Sequence, residues 1–443
     1  MYKSVKVSEF LHRVKDPVQL QPEQEYSLVT IKVHHKGVVL RNKTKGKLIG
    51  SKMYRISKGQ FILSGIDARN GAFGIVPDEL DGAIVTNDFW YFNIDETKVK
   101  RDFFYWLTNT PIFLNACIKS SQGVTQRIRL QTKLFFDFEF RFPPLEEQEN
   151  FLKRIQHADQ GLILLRVELQ KQEKYISQLK QAVLQEAIAG QLTTEWRDRN
   201  PMQKGDPDTD AAALLAKIKA EKQQAIADGK LKQEKTLPKI SPDEIPFRVS
   251  DNWVWCRTED ICFAIVDCPH STPKYKEEGE NCIDTTCFDE EGIIKKIRKV
   301  DKLTFIERNQ RLEPLQGDIV YSREGIIGQA VILPENHRFC LGQRVMLFRP
   351  WKYIQSKFFR LIVVSPFFRQ QMIAKHKGMG AKHVNMIDLR SGFIPLPPLA
   401  EQKAIVEKVD YLMKIIDQLE EQIKHRKQLA EDLMQTVLRE AFE

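Results

Sequence analysis

Glycines stand beside arginine, lysine, glutamine and asparagine at two places in this 443-residue chain. The first is Gly123-Val124-Thr125-Gln126-Arg127; the second is Gly378-Met379-Gly380-Ala381-Lys382-His383-Val384-Asn385. Glycine lets a backbone come close to a phosphate or a base. Arginine, glutamine and asparagine are the side chains that make paired hydrogen bonds to guanine or adenine edges. A plain turn before the last strand of a domain would use glycine in the same way. The candidate nucleic-acid contacts are Lys43, Lys45, Arg69, Gln126, Arg127 and Arg129 in the first half, and Arg323, Lys377, Lys382, His383 and Asn385 in the second.

Charge placement points the same way. The net charge is +9. No acid lies between Tyr26 and Ile66, between Phe103 and Phe136, or between Asn336 and Ile387, and each stretch is rich in lysine and arginine. A solvated basic surface with no partner would have this composition too, but matching stretches in both halves favour a polyanion binder. Catalytic signatures are missing. There is no phosphate loop, because Gly46-Lys47 is followed by Leu48. Neither Asn-Pro-Pro-Tyr nor Gly-x-Ser-x-Gly occurs, and Pro77-Asp78-Glu79 has no Glu-x-Lys at nuclease range. Cys256, Cys262, Cys268, Cys282 and Cys287 cluster near His270, but their spacing matches no common zinc module. They read as reduced thiols, and no metal or cofactor is expected. No run approaches the roughly 18 apolar residues of a membrane span. Met1-Tyr2-Lys3-Ser4 leads into charged sequence without a signal-peptide core, so a cytoplasmic protein is expected.

The elements that must hold these residues occur twice. Pro143-Pro144-Leu145-Glu146-Glu147-Gln148 returns as Pro397-Pro398-Leu399-Ala400-Glu401-Gln402, and the register then holds without a gap to Ala187 and Ala441. Apolar residues follow each motif at alternating spacings of four and three: Phe151, Ile155, Ala158, Leu162, Leu165, Leu169, Ile176, Leu179 and Val183, then Ile405, Val409, Leu412, Ile416, Leu419, Ile423, Ala430, Leu433 and Val437. Such a seam predicts two coiled-coil helices, each about 40 residues and roughly 60 Å long. Gly190 suits the end of the first. An antiparallel pair with full overlap would set Leu165 against Ile423, Leu169 against Leu419 and Phe151 against Val437.

Upstream repeats are shorter. Phe103-Phe104, Pro111, Phe113 and Gly123 recur as Phe358-Phe359, Pro366, Phe368 and Gly378, and Lys58–Ser64 resembles Gln316–Ser322. Each globular segment reads as mixed α/β. Strands are expected at 61–63, 83–86, 89–92, 318–321 and 329–333, and helices bent by proline at 100–119 and 355–375. Residues 193–210 are expected to be a loop, 211–227 a surface helix, and 230–246 an exposed linker. The organisation is a first globular domain (1–142), a helix (143–189), a linker with a surface helix (190–246), a second domain (247–396) and a second helix (397–443).

Two variable domains, each followed by a Pro-Pro-Leu-x-x-Gln helix, resemble the specificity subunit of type I restriction-modification systems. The resemblance covers nearly the whole chain and is strongest over Pro143–Ala187 and Pro397–Ala441. Phe247–Ile261, with Trp253-Val254-Trp255, and Asp267–Lys274 add to it. The first domain departs, with no Trp-x-Trp near Met1. The resemblance implies a non-catalytic reader of double-stranded DNA with two α/β recognition domains, each reading half of a bipartite asymmetric site. It implies two partner subunits that bind S-adenosylmethionine and methylate adenine, and further ATP-dependent restriction subunits. A specificity subunit of a methylating enzyme outside type I, or a stand-alone enzyme on nucleic acid, are the alternatives; turnover by the purified chain alone would indicate the last.

Overall fold

The computed structural model describes residues 2–123, 128–234, 237–374 and 383–442. It divides into two compact units, Met1–Lys171 with Ile423–Glu443, and Gln172–Gln422.

Each unit holds the same four-stranded antiparallel frame. In the first the strand order is Leu11–Arg13, Phe89–Ile94, Phe61–Ser64, Phe73–Ile75. In the second it is Cys262–Asp267, Val345–Pro350, Ile319–Ser322, Ala330–Ile332. A two-stranded ribbon closes each domain, Lys3–Lys6 on Glu139–Phe142 and Val254–Arg257 on Phe393–Leu396. The first domain therefore has the same opening strand as the second, although it lacks the tryptophans that mark it there.

What the frame carries differs. The first domain adds a five-stranded sheet made of Pro17–Val18, Met53–Arg55, Ile84–Val85, Glu25–Ile31 and Val38–Lys45. The second adds a three-stranded sheet of Arg298–Val300, Glu280–Ile283 and Cys340–Leu341. The prolines divide the helices as expected. Arg101–Thr108 is followed by Pro111–Lys119, and Ser356–Val364 by Pro366–Ala374. Phe61, Phe104, Phe113 and Phe135 are fully buried between helices and sheet in the first domain, and their rings meet mostly edge to face.

The repeated motif opens two helices of 44 residues, Leu145–Ile188 and Leu399–Phe442. Two effects start them. The preceding proline has no N–H to satisfy, and Glu146, Glu147 and Glu401 lie in the first turn, where the helix dipole favours acids. The first ends before Gly190, whose φ of 75° is left-handed. The motif glutamine does a different job. Gln148 and Gln402 are fully buried. Gln148 Oε1 accepts from the Lys100 N–H at 2.8 Å, while its Nε2 donates to the carbonyls of Pro143 and Lys98. Gln402 Oε1 accepts from the Gln355 N–H at 2.9 Å, and its Nε2 donates to the Tyr353 carbonyl. Lys100 and Gln355 are the N-caps of the two domain helices, and neither cap is satisfied by its own side chain. The glutamine thus caps a helix from outside and ties each domain to the long helix that follows it.

The long helices pair in opposite directions within each unit. In the second unit Lys180 meets Asp417 and Glu420, while Thr193 and Arg197, beyond the end of the first helix, meet Glu401 at the start of the second. In the first unit Arg154 meets Glu440, and Phe151, Leu152 and Ile155 share a core with Met434, Val437 and Leu438. Full overlap would have put Met434 opposite Arg154 and Lys408 opposite Lys180, so the register is displaced from it by a helical turn or more. One of the two seam slots is covered along most of its length. Ile155, Leu162, Leu169, Ile176 and Val183 are buried, as are Val409, Ile416, Ile423 and Ala430. The other slot leaves Leu179, Leu419 and Leu433 exposed.

The expected loop at 193–210 contains a helix, Thr194–Arg199. Local propensity gave no sign of it because a distant residue holds it. Glu401 is fully buried and accepts from Thr193 Oγ1, Arg197 Nη1, Asn252 Nδ2 and Trp253 Nε1. The surface helix forms at Ala211–Ala227, with Asp210 capping Ala212 and Ala213.

Candidate nucleic-acid interface

In each domain three backbone segments meet at one end of the frame sheet. In the first, the Gly65 N–H donates to the Asp88 carbonyl and the Leu130 N–H donates to the Gly65 carbonyl. In the second, the Arg323 N–H donates to the Arg344 carbonyl and the Val384 N–H donates to the Arg323 carbonyl. The two junctions are the same piece of architecture, each just past a buried frame strand and just before a short helix, Thr132–Phe136 or Met386–Arg390.

The side chains mounted there are polar and different. At the first junction Arg129 Nη1 lies 3.3 Å from Asp88 Oδ1, and both side chains are more than half exposed. Gln131 stands beside them and turns its amide onto the Arg129 carbonyl. At the second junction an open cleft of about 640 Å³ is lined by Asp267, His270, Arg323, Glu324, His383 and Asn385, with Met386 and Ile387. Arg323 is nearly buried. Its Nε lies 3.1 Å from Asp267 Oδ1, and its Nη1 donates to the Val384 carbonyl at 3.4 Å. Glu324 is bridged through its backbone to His383, and its Oε1 lies 3.5 Å from Arg344 Nε. Arg344 has a φ of 65°, a left-handed conformation that few non-glycine residues adopt. Asn385 occupies the N-cap of Met386–Arg390 but makes no side-chain cap bond.

The structure brings Arg323, His383 and Asn385 into one cleft and sets Arg129 at the matching place in the first domain. It does not bring Lys43, Lys45 or Arg69 to that junction. Lys43 and Lys45 lie on the exposed strand Val38–Lys45 of the added sheet. Lys45 and Lys47 both bind Glu23, whose carboxyl they hold below its usual range, so part of that charge is already neutralised. Arg69 is half-buried in the turn Ala68–Asn70. Gln126, Arg127, Lys377 and Lys382 lie outside the described residues. Of the helix-pairing candidates, Leu169 and Ile423 are buried, Leu165 is half-buried and Leu419 is 38% exposed. Sequence reasoning missed Asp88, Glu324 and Arg344 as site residues. The segment Asp267–Lys274 carries part of the family resemblance, but its sequence alone gives Asp267 and His270 no role.

All seven cysteines are buried and free. They are dispersed over the second domain and the first, and no metal-holding group of His, Cys, Asp and Glu occurs among the described residues. Among those residues no helix is long and apolar enough to cross a membrane.

Comparison with known proteins agrees with this architecture. The chain is 28% identical over 275 residues to the specificity subunit of the Escherichia coli type I restriction enzyme EcoEI, covering 58% of this chain and 43% of that protein. It is 23% identical over 350 residues to the EcoBI specificity subunit of the same organism, covering 79% of this chain and 66% of that one. The match thus spans less than half the length of the EcoEI subunit. The fold is similar to the crystal structure of the HsdS subunit from Thermoanaerobacter tengcongensis, with a TM-score of 0.56 at 17% identity over 100% of this chain and 96% of that one. It is also similar to a chain of a type I restriction-modification system, with a TM-score of 0.62 at 17% identity over 100% and 97% of the two chains. Residues 12–174 and 259–426 both match the family described as type I restriction modification DNA specificity domain, and the chain belongs to that family.

Proposed function

We propose that this chain is the non-catalytic DNA-reading subunit of a type I restriction-modification enzyme. Each recognition domain reads one half of a bipartite, asymmetric site on double-stranded DNA. The long helices set the spacing between the half-sites and hold two adenine-methylating subunits, which ATP-dependent restriction subunits can join. The observation that carries this reading is the doubled frame. One sheet topology, tied to its helix by the same buried glutamine, holds two different added sheets and two different sets of polar side chains. Two readers of two different sequences call for this arrangement.

The exposed apolar residues on the helices support the partner subunits. Ile163, Leu164 and Val167 on the first helix are 51%, 71% and 61% exposed, and Tyr411 on the second is 60% exposed. Apolar exposure of this extent on a helix face marks an interaction surface.

The test is to map adenine methylation across the genome of a host with and without the chain, and with a variant carrying seven added residues after Leu169 and after Ile423. The heptad keeps the seam in phase and lengthens each helix by roughly 10 Å. Methylated sites should depend on the chain and consist of two parts. In the variant both parts should keep their bases while the spacer grows by up to about three pairs. An unchanged spacer, or changed half-sites at the old spacer, contradicts the role given to the helices. Methylation that is independent of the chain contradicts the function.

A further inference from the structure

We propose that the arginine–carboxylate pair at each junction reads one G·C base pair, so that each half-site contains a G·C position fixed by it. The pairs are Asp88 with Arg129 in the first domain and Glu324 with Arg344 in the second. This rests on the DNA-reading function proposed above and assigns the residues that carry it.

The argument begins with the acids. A carboxylate facing a DNA backbone is repelled by phosphate, so an acid on a basic recognition surface disfavours simple phosphate docking. A base edge is different. In the major groove cytosine presents the N4 amino donor, which Asp or Glu accepts, and guanine presents O6 and N7, which Arg engages in a bidentate pair. Those two edges belong to one base pair. Guanine O6 and cytosine N4 are themselves hydrogen-bonded, hence about 2.9 Å apart. A protein group reading both must place a cation and an acceptor side by side at similar separation. Arg129 Nη1 and Asp88 Oδ1 are 3.3 Å apart, and Arg344 Nε and Glu324 Oε1 are 3.5 Å apart.

Comparing the two domains strengthens the assignment. Backbone bonding aligns Gly65 with Arg323, Asp88 with Arg344, and Leu130 with Val384. Asp88, the acid of the first pair, thus stands where Arg344, the cation of the second, stands. The partner comes from a different segment in each domain, Arg129 from beside Leu130 and Glu324 from beside Arg323, yet each junction ends with one acid and one arginine. A pair needed only to hold the frame would be expected at fixed positions. In the second domain Asp267 is a positioning residue. It lies 3.1 Å from Arg323 Nε and holds that guanidinium against the Val384 carbonyl, leaving Arg344 as the cation paired with Glu324.

Both pairs are partly exposed, and an exposed ion pair contributes little to stability, so conservative changes should alter reading before folding. The experiment incubates the purified full-length chain with a pool of randomised duplexes at low salt and sequences the bound fraction. The wild-type chain, Asp88→Asn and Glu324→Gln are compared, and Arg129→Lys and Arg344→Lys follow as variants that keep charge but lose the bidentate fork. The wild type should enrich a two-part site with a fixed G·C in each part. Asp88→Asn should relax that position in one part only, and Glu324→Gln in the other part only. Preference there should fall by roughly 5- to 150-fold, the worth of one good base contact. Each lysine variant should relax the same position as its partner. If the wild type enriches no sequence, the DNA-reading function falls and this inference with it. If the wild type enriches a two-part site that all four variants keep, or if the relaxed position is A·T, only the inference is overturned.

Discussion

Replacing Gln148 should loosen the first recognition domain from its helix by an amount that can be counted bond by bond. The side chain is fully buried and makes three hydrogen bonds, one accepted from the Lys100 N–H and two donated to the Pro143 and Lys98 carbonyls. Each such bond contributes about 1 kcal/mol net, and a buried group left without a partner costs about 1–3 kcal/mol. Gln148→Met keeps most of the volume and removes all three bonds, so a loss of about 3 kcal/mol is expected. Gln402 makes two of the equivalent bonds, so Gln402→Met should lose about 2 kcal/mol. The most local readout is exchange of the capped amide itself. Lys100 N–H exchange should quicken by about a hundredfold in Gln148→Met, at 1.4 kcal/mol per factor of ten, with Gln355 N–H unaffected. Gln402→Met should do the reverse. Urea unfolding of the full chain gives the global cost. A loss below about 0.5 kcal/mol in Gln148→Met, with Lys100 protection unchanged, would show that water replaces the glutamine and that the motif is kept for another reason.

Three further perturbations separate residues that look equivalent in sequence. Glu401→Ala should cost about 3–5 kcal/mol in denaturant unfolding, because it strands the Arg197 guanidinium; Glu147→Ala, at the matching but exposed position, should cost less than about 0.5 kcal/mol. Leu169→Ala should cost about 2–5 kcal/mol, whereas Leu419→Ala, more than a third exposed, should cost under about 1 kcal/mol and instead weaken capture of the methylating subunits in a pull-down. Glu221 accepts from Tyr353 Oη and Trp351 Nε1 and pairs with Lys352, which lowers its pKa to about 2, the Tyr353 bond being the largest cause. A carboxylate lowered on folding stabilises above its unfolded pKa near 4.5, and loses that contribution as pH falls toward 2. The Glu221→Gln deficit, about 1–2 kcal/mol at pH 7 for this partly exposed group, should therefore shrink between pH 4.5 and 2; a deficit independent of pH would refute it.

The parts of the fold legible in sequence are those set by local pattern. The repeated motif, the seven-residue seam and the prolines within the domain helices are contiguous signals, and the elements form within a few residues of the expected bounds. The helix at Thr194–Arg199 was not legible because its anchor, Glu401, is two hundred residues away. The helix register was not legible because a heptad seam accepts any shift that keeps apolar residues opposed. Part of the second stripe, Leu179, Leu419 and Leu433, stays exposed for a related reason: two helices cover one stripe each more completely than the other. The base-reading pairs escaped because each joins residues that are local only in space. Asp88 meets Arg129 across the end of a sheet, and Glu324 meets Arg344 across another.

That last failure bears on how such a protein can change what it reads. A residue that both builds the frame and reads a base could not vary without cost to folding. Here the two duties fall on different residues. The frame is held by buried apolar side chains, by paired strands and by the motif glutamine; Phe104 and Phe113 have buried counterparts in Phe359 and Phe368. The polar residues at the junction hang from backbone bonds, Gly65 to Asp88 and Arg323 to Arg344, that do not depend on the side chains mounted there. The same backbone bonds form with glycine at one place and arginine at its counterpart, although a Cβ at Gly65 would stand 3.2 Å from the Asp88 carbonyl oxygen and 3.3 Å from Trp90 Nε1, and Arg344 is left-handed where Asp88 is not. The side chains that face the groove can therefore be exchanged while the sheet, its cap and its helix stay as they are. By this logic, transplanting Arg323, Glu324 and Arg344 onto the first domain as Gly65→Arg, Ile66→Glu and Asp88→Arg should move its reading toward that of the second. It should do so without unfolding the frame. An unfolded first domain would show that reading and framing are not separable.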